Sequence, residues 1–120
     1  MESGFDFELY ETLFRNCFIY SSRYSNGNLQ LSLFGVDPET NQTGHFADIT
    51  LNQNSKVLKE NEIVVDCKYK PTFIPQLINL GVLKEQVGIC VVKGTIYPIY
   101  TIDETMVVEK QYCMQNLIAA

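Results

Sequence analysis

Polar and apolar residues alternate along much of this chain, and the alternation breaks where turn-forming residues cluster. Leu29, Leu31 and Leu33 are separated by Gln30 and Ser32, the period-two pattern of a strand with one buried and one wet face. An aromatic, β-favouring run over residues 17–24 precedes it, and Ser25-Asn26-Gly27-Asn28 lies between the two. Asn-Gly is the strongest short-range hairpin signal, because a type I′ turn needs positive φ at both central residues. A β-hairpin turning at Asn26-Gly27 is therefore expected. The polar stretch 37–44 opens with Asp37-Pro38 and closes with Gly44, which reads as a second turn. Ala47, Ile49 and Leu51 then alternate with Phe46, Asp48 and Thr50 and predict the third strand of an antiparallel meander.

At the N-terminus, Phe5, Leu9 and Leu13 recur every four residues, with Asp6, Glu8 and Glu11 between them. This spacing predicts a short amphipathic helix with acids near its positive end, although Phe5-Asp6-Phe7-Glu8-Leu9 also alternates like a strand. Beyond the meander, residues 52–61 read as a loop or a single helical turn, and the apolar run 63–67 as a short strand buried on both faces or central. Residues 70–81 predict a helix, with Pro75 in its first turn, Phe73, Ile74, Leu77 and Ile78 on one face, and Gly81 as its stop. Residues 87–92 and 95–100 read as two further strands joined at Lys93-Gly94, the second an edge strand or partly outside the sheet because Pro98 lacks a ladder donor. Residues 106–118 fit either a strand or a terminal helix. The fold class expected is α+β: an antiparallel β-meander of about five to six strands, with an N-terminal helix and one inserted helix packed on the sheet.

A chain of 120 residues that is 46% hydrophobic and 19% charged suffices for one core and is short for two, so residues 1–120 are expected to form one domain. The N-terminus lacks the basic start and apolar run of a signal peptide, and no apolar stretch reaches a membrane span, which points to the cytoplasm. Cys17, Cys67, Cys90 and Cys113 show no C-x-x-C spacing and read as structural thiols. The net charge of −5 is carried by residues 1–54, where seven acids face Arg15 and Arg23, while the rest of the chain balances seven acids with seven lysines. Without a Lys/Arg cluster to neutralise phosphates, direct nucleic-acid binding is not expected.

Candidate catalytic chemistry is sparse. The single histidine, His45, stands at a strand start with no recognisable triad spacing around it, and the Cys and His spacings match no common zinc motif. No phosphate-binding glycine loop occurs. Glu60 with Glu62, and Asp103 with Glu104, lie in polar loops as solvated charges do. No enzyme activity, cofactor or metal is expected. What remains is an acidic N-terminal half able to meet a basic partner, and tyrosines able to offer a ring and a polar tip at an interface. Glu8, Glu11, Asp37, Glu39 and Tyr24 are the candidate partner-binding residues.

The hairpin Tyr24-Ser25-Asn26-Gly27-Asn28-Leu29 and the strand Ala47-Asp48-Ile49-Thr50-Leu51-Asn52 resemble a family of short uncharacterised bacterial proteins with a Tyr-x-Asn-Gly-x-Leu hairpin before an Ala-x-Leu-Thr-Val-Asn strand. Glu62-Ile63-Val64-Val65-Asp66 and Tyr97-Pro98-Ile99-Tyr100 look like later blocks of that family, whereas Cys67-Lys68-Tyr69 and residues 82–86 depart from it. Such proteins are encoded on mobile elements of gut bacteria among antidefence and transfer genes. In size and acidity the chain is also similar to anti-CRISPR proteins. The resemblance implies a non-enzymatic protein that binds a Cas nuclease such as Cas9, or another defence effector, and inhibits it. The alternative it implies is an accessory protein of element transfer or replication, with dimerisation through a strand edge near Pro98 or through the C-terminal segment. Both a monomer and a homodimer are compatible with the sequence.

Overall fold

The computed structural model describes residues 4–53 and 58–109. Its first two strands, β1 (Phe5–Leu9) and β2 (Thr12–Arg23), form an antiparallel hairpin where the four-residue spacing predicts a helix. Phe7 and Leu9 are buried and Glu8 is exposed, so the period-two pattern of residues 5–9 prevails. The spacing of Phe5, Leu9 and Leu13 is broken by a chain reversal between Leu9 and Thr12. Leu13 lies opposite Glu8 on the outer face and is 43% exposed.

Strands β3 (Leu29–Val36) and β4 (Thr43–Asp48) continue the sheet in the order β1-β2-β3-β4. The turn between β2 and β3 falls where Asn26-Gly27 places it, but in a different form. Gly27 N–H donates to the Tyr24 carbonyl and Tyr24 N–H to the Asn28 carbonyl, both at 2.9 Å. Gly27 takes φ +89°, whereas Asn26 stays out of the left-handed region and accepts the Asn28 N–H on its side chain at 3.1 Å. A longer loop closed by one left-handed glycine replaces the two-residue type I′ turn.

The second sheet has the order β5-β7-β6, built from β5 (Glu62–Val64), β6 (Leu83–Val92) and β7 (Thr95–Ile102). Helix α1 (Phe73–Asn79) lies between β5 and β6. It stops at Gly81 (φ +80°), where Gly81 N–H reaches the Ile78 carbonyl and Val82 N–H the Leu77 carbonyl, the double bond of a Schellman ending. A 3-10 turn (Glu104–Met106) leads to β8 (Val108–Glu109), which runs parallel to β2. The remainder of the ambiguous 106–118 segment lies outside the described residues.

The described chain is thus mostly β, in two sheets, with α1 as its one α-helix. It is neither an α+β meander nor a fold with an N-terminal helix. One strand position also differs from expectation: β7, with Pro98, is the central strand of its sheet. β5 is an edge strand, and Ile63, Val64 and Val65 are buried, which meets the expected burial on both faces. Pro98 is tolerated because its carbonyl accepts from Val65 N–H at 3.0 Å, just beyond the last β5 pair at Val64–Ile99. A residue's N–H and C=O point to the same side of a strand, so the missing donor falls where β5 leaves the ladder.

The main core lies between the first sheet and α1, with Phe7 edge-on to Phe73 at 5.6 Å and Leu31, Leu33, Ile49 and Leu77 fully buried. A smaller cluster of Val64, Cys90, Tyr97 and Ile99 fills the other face of the second sheet. Residues 49–51 join the two sheets. Ile49 N–H donates to the Leu31 carbonyl, Leu51 N–H to the Val64 carbonyl, and Asp66 N–H to the Ile49 carbonyl. Buried Thr50 supplies its hydroxyl to Leu31 N–H at 3.2 Å and to Tyr24 Oη at 2.8 Å.

Thr50→Val should leave the buried Leu31 N–H unpaired and cost about 1–3 kcal/mol, seen as a lower urea midpoint at unchanged slope. Thr50→Ser should retain most of that stability.

Candidate protein-binding surface

Register places two turns at one end of the first sheet. Leu9 pairs with Thr12, and Arg15 with Val36, so the β1–β2 turn at Tyr10-Glu11 lies on the same side as the β3–β4 loop at residues 37–42. Glu8, Glu11, Asp37 and Glu39, up to 31 residues apart in sequence, therefore share one end of the fold. Tyr24 is at the other end of β2. It is half-buried, its hydroxyl is bound to Thr50, and burial pushes that hydroxyl above its ordinary pKa, against the pull of the Thr50 bond. This bond ties the end of β2 to the segment that joins the two sheets.

The shared end has an unusual backbone. Tyr10 (φ +50°) and Glu11 (φ +67°) both occupy the left-handed region, which costs an L-residue without glycine's freedom about 1–2 kcal/mol. The turn displays Tyr10, 65% exposed, beside exposed Leu13. These two apolar side chains are absent from the sequence-derived set, because a Tyr-Glu turn carries no turn-residue signature. The neighbouring loop is ordered by its own side chains. Asp37 Oδ1 accepts Glu39 N–H at 2.8 Å, Asn41 N–H donates to the Asp37 carbonyl at 2.7 Å, and Thr40 Oγ1 accepts Gln42 N–H at 3.3 Å. Between turn and loop, Phe14 and Phe46 stack at 3.9 Å and floor a shallow hollow lined by Asp37, Thr40, Gln42 and His45.

Gln76 of α1 fixes the approach to this end. Its Oε1 accepts Glu8 N–H at 2.8 Å and its Nε2 donates to the Glu8 carbonyl at 2.7 Å. The amide thus takes the place of a neighbouring strand along β1.

His45 is exposed and holds Asp48 Oδ1 at 3.0 Å. Among the described residues no group of three or more His, Cys, Asp and Glu could hold a metal, and no helix is long and apolar enough to cross a membrane. Cys17 and Cys90 are buried and Cys67 partly so, all as free thiols, and Cys113 lies outside the described residues. Cys17 Sγ contacts the Phe14 carbonyl at 3.3 Å. It packs where Gly35 leaves room, since a Cβ at Gly35 would stand 2.7 Å from the sulfur. Burial, helped by the charge of Asp6, pushes the Cys17 thiol from its ordinary 9.0 up to about 12, which makes it a poor nucleophile.

Comparison with protein-family models, with curated proteins and with solved structures found no match.

Two outcomes follow from this geometry. Folded Cys17 holds its proton more tightly than the unfolded chain does, so its contribution to stability is complete below pH 9.0 and is lost as pH rises toward 12. Urea midpoints measured across that window should fall, and Cys17→Ala should flatten the fall. Replacing Tyr10-Glu11 with Asn-Gly should raise stability by about 1–2 kcal/mol, read from the same unfolding curves; a loss would show that the native turn is unstrained.

Proposed function

We propose that this chain is a non-enzymatic cytoplasmic binding protein that inhibits a nucleic-acid-handling effector of a host defence system, docking the acidic turn end of its first sheet into a basic groove. The observation that carries this reading is the convergence of Glu8, Glu11, Asp37 and Glu39 on that end, beside the exposed rings and aliphatic chains of Tyr10 and Leu13. Carboxylates at the rim compete with phosphates for a basic groove and steer the encounter. An exposed aromatic offers the ring that anchors interfaces. The strained turn supports the same reading, since strain at an exposed position collects where a side chain must be presented. A second reading, an accessory protein of element transfer or replication working as a homodimer, is favoured by the long edge of β6, unpaired among the described residues.

Guide-loaded Cas9 mixed with the purified chain should form a complex and lose DNA cleavage. The triple reversal Glu8→Lys, Glu11→Lys and Glu39→Lys should weaken that complex about tenfold or more, with the largest difference at low salt. If neither Cas9 nor another defence nuclease is bound, or if inhibition survives the reversal intact, the acidic end is not the binding surface.

A further inference from the structure

Among the described residues, the outer edges of β1, β4 and β5 are capped, short or bonded to the chain beside them, β8 is a two-residue strand on β2, and the edge of β6 is long and unpaired. β1 is capped by the Gln76 amide at Glu8. β4 is short, with His45 and Asp48 exposed along it. β5 is three residues long, and the chain beside it is bonded to residues 49–51. β6 pairs with β7 alone among the described residues, over ten residues. Unpaired strand edges recruit other strands unless charge, proline or cover prevents it.

From Val87 onward the exposed side chains along this edge are apolar. Val87, Ile89 and Val91 are 46%, 53% and 57% exposed, and Ile96, opposite Val91 on β7, is 63% exposed. The backbone direction follows from Pro98, which stands opposite Ile89 and turns its carbonyl toward Val65. The Ile89–Pro98 pair therefore exchanges no ladder bonds. In an antiparallel pair such residues point their N–H and C=O groups away from each other, so Ile89, and Val91 two residues on, aim theirs at the open edge.

We propose that the β6 edge pairs with the β6 edge of a second copy of this chain, antiparallel about a two-fold axis through Ile89. The proposal takes its partner from the homodimer reading and is independent of the acidic turn end. The sequence Val87-Gly88-Ile89-Cys90-Val91 is nearly symmetric in side-chain size about its centre, so an antiparallel two-fold pairing there sets residues of similar size against each other. This register sets Ile89 against its own copy, Val87 against Val91 and the small Gly88 against Cys90. Shifting it by one pair in either direction places Glu85 or Lys93 opposite a valine. In the centred register, Lys93 at each hairpin tip comes within side-chain reach of Glu85 on the other copy. The β6 bulges lie between Leu83 and Gly88, and the Glu85 backbone is bonded to Thr101 Oγ1 on β7, so Glu85 meets Lys93 through its side chain and not as a ladder pair. Lys84, the other charge at that end, lines a cleft with Asp103 and Glu104. The contact uses the same β6 edge on both copies, so assembly ends at two.

Sedimentation of the full chain across a concentration series should show a monomer–dimer equilibrium. Hydrogen exchange should show the Ile89 and Val91 amides gaining protection as the dimer fills. Ile89→Lys, which sets like charges face to face on the axis, should give a folded monomer by circular dichroism, and Val91→Lys should do the same. Glu85→Lys and Lys93→Glu should each weaken association about threefold to tenfold, and the two together should restore it. A monomer at every concentration overturns both this pairing and the homodimer reading. A dimer that persists in Ile89→Lys, or that leaves the Ile89 and Val91 amides unprotected, overturns the pairing alone.

Discussion

The fold depends on the backbone of residues 49–51 serving two sheets at once. Leaving β4, the chain gives one hydrogen bond back to β3 and exchanges two with the strand end at residues 64–66. At Thr50 the side chain completes what the backbone cannot, with one hydroxyl oxygen satisfying Leu31 N–H and Tyr24 Oη together. A buried unpaired amide there would cost about as much as one large core truncation. The threonine is thus a structural residue in the connection that follows β4, beside the fully buried Ile49. The relative placement of both sheets, and so of the turn end and the β6 hairpin, follows from this crossing.

Edge management explains much of the remaining architecture. Two-sheet β folds without closure must dispose of several strand edges, and this chain uses a different device at each. A helix side chain, a short polar strand and the interior crossing cover three of them. At the fourth, the bulges and charges of β6 are confined to its N-terminal half, beside Lys84 and Glu85, and the apolar half toward Val92 is left straight.

Much of this was legible in the sequence where local chemistry dictates geometry. The leucine alternation of β3, the loop at Gly27, the Lys93-Gly94 reversal, now seen with φ +50° and +79°, and the Gly81 stop of α1 all depend on near neighbours. The failures share a cause. Phe5, Leu9 and Leu13 mimic a helix because a two-residue turn without Gly or Asn interrupts them, and strain at Tyr10 and Glu11 leaves no compositional mark. Pro98 argues for an edge unless the neighbouring strand is known to end beside it. The acids of the turn end were each visible, but their convergence depends on the Arg15–Val36 register, and the structural role of Tyr24 depends on a contact with Thr50, 26 residues away.

The pairing of Gln76 with Glu8 spans 68 residues. A side-chain amide carries the same donor and acceptor as a peptide group, so α1 contributes to β1 the equivalent of a single residue of strand. This makes completion of the first strand contingent on a helix encoded far downstream. As the chain emerges from a ribosome, the N-terminal hairpin must wait with Glu8 solvated until residue 76 has been made and α1 has docked. Closing a loop of that length costs more entropy than closing the turns between neighbouring strands, so the outer edge of β1 is completed only when α1 has docked.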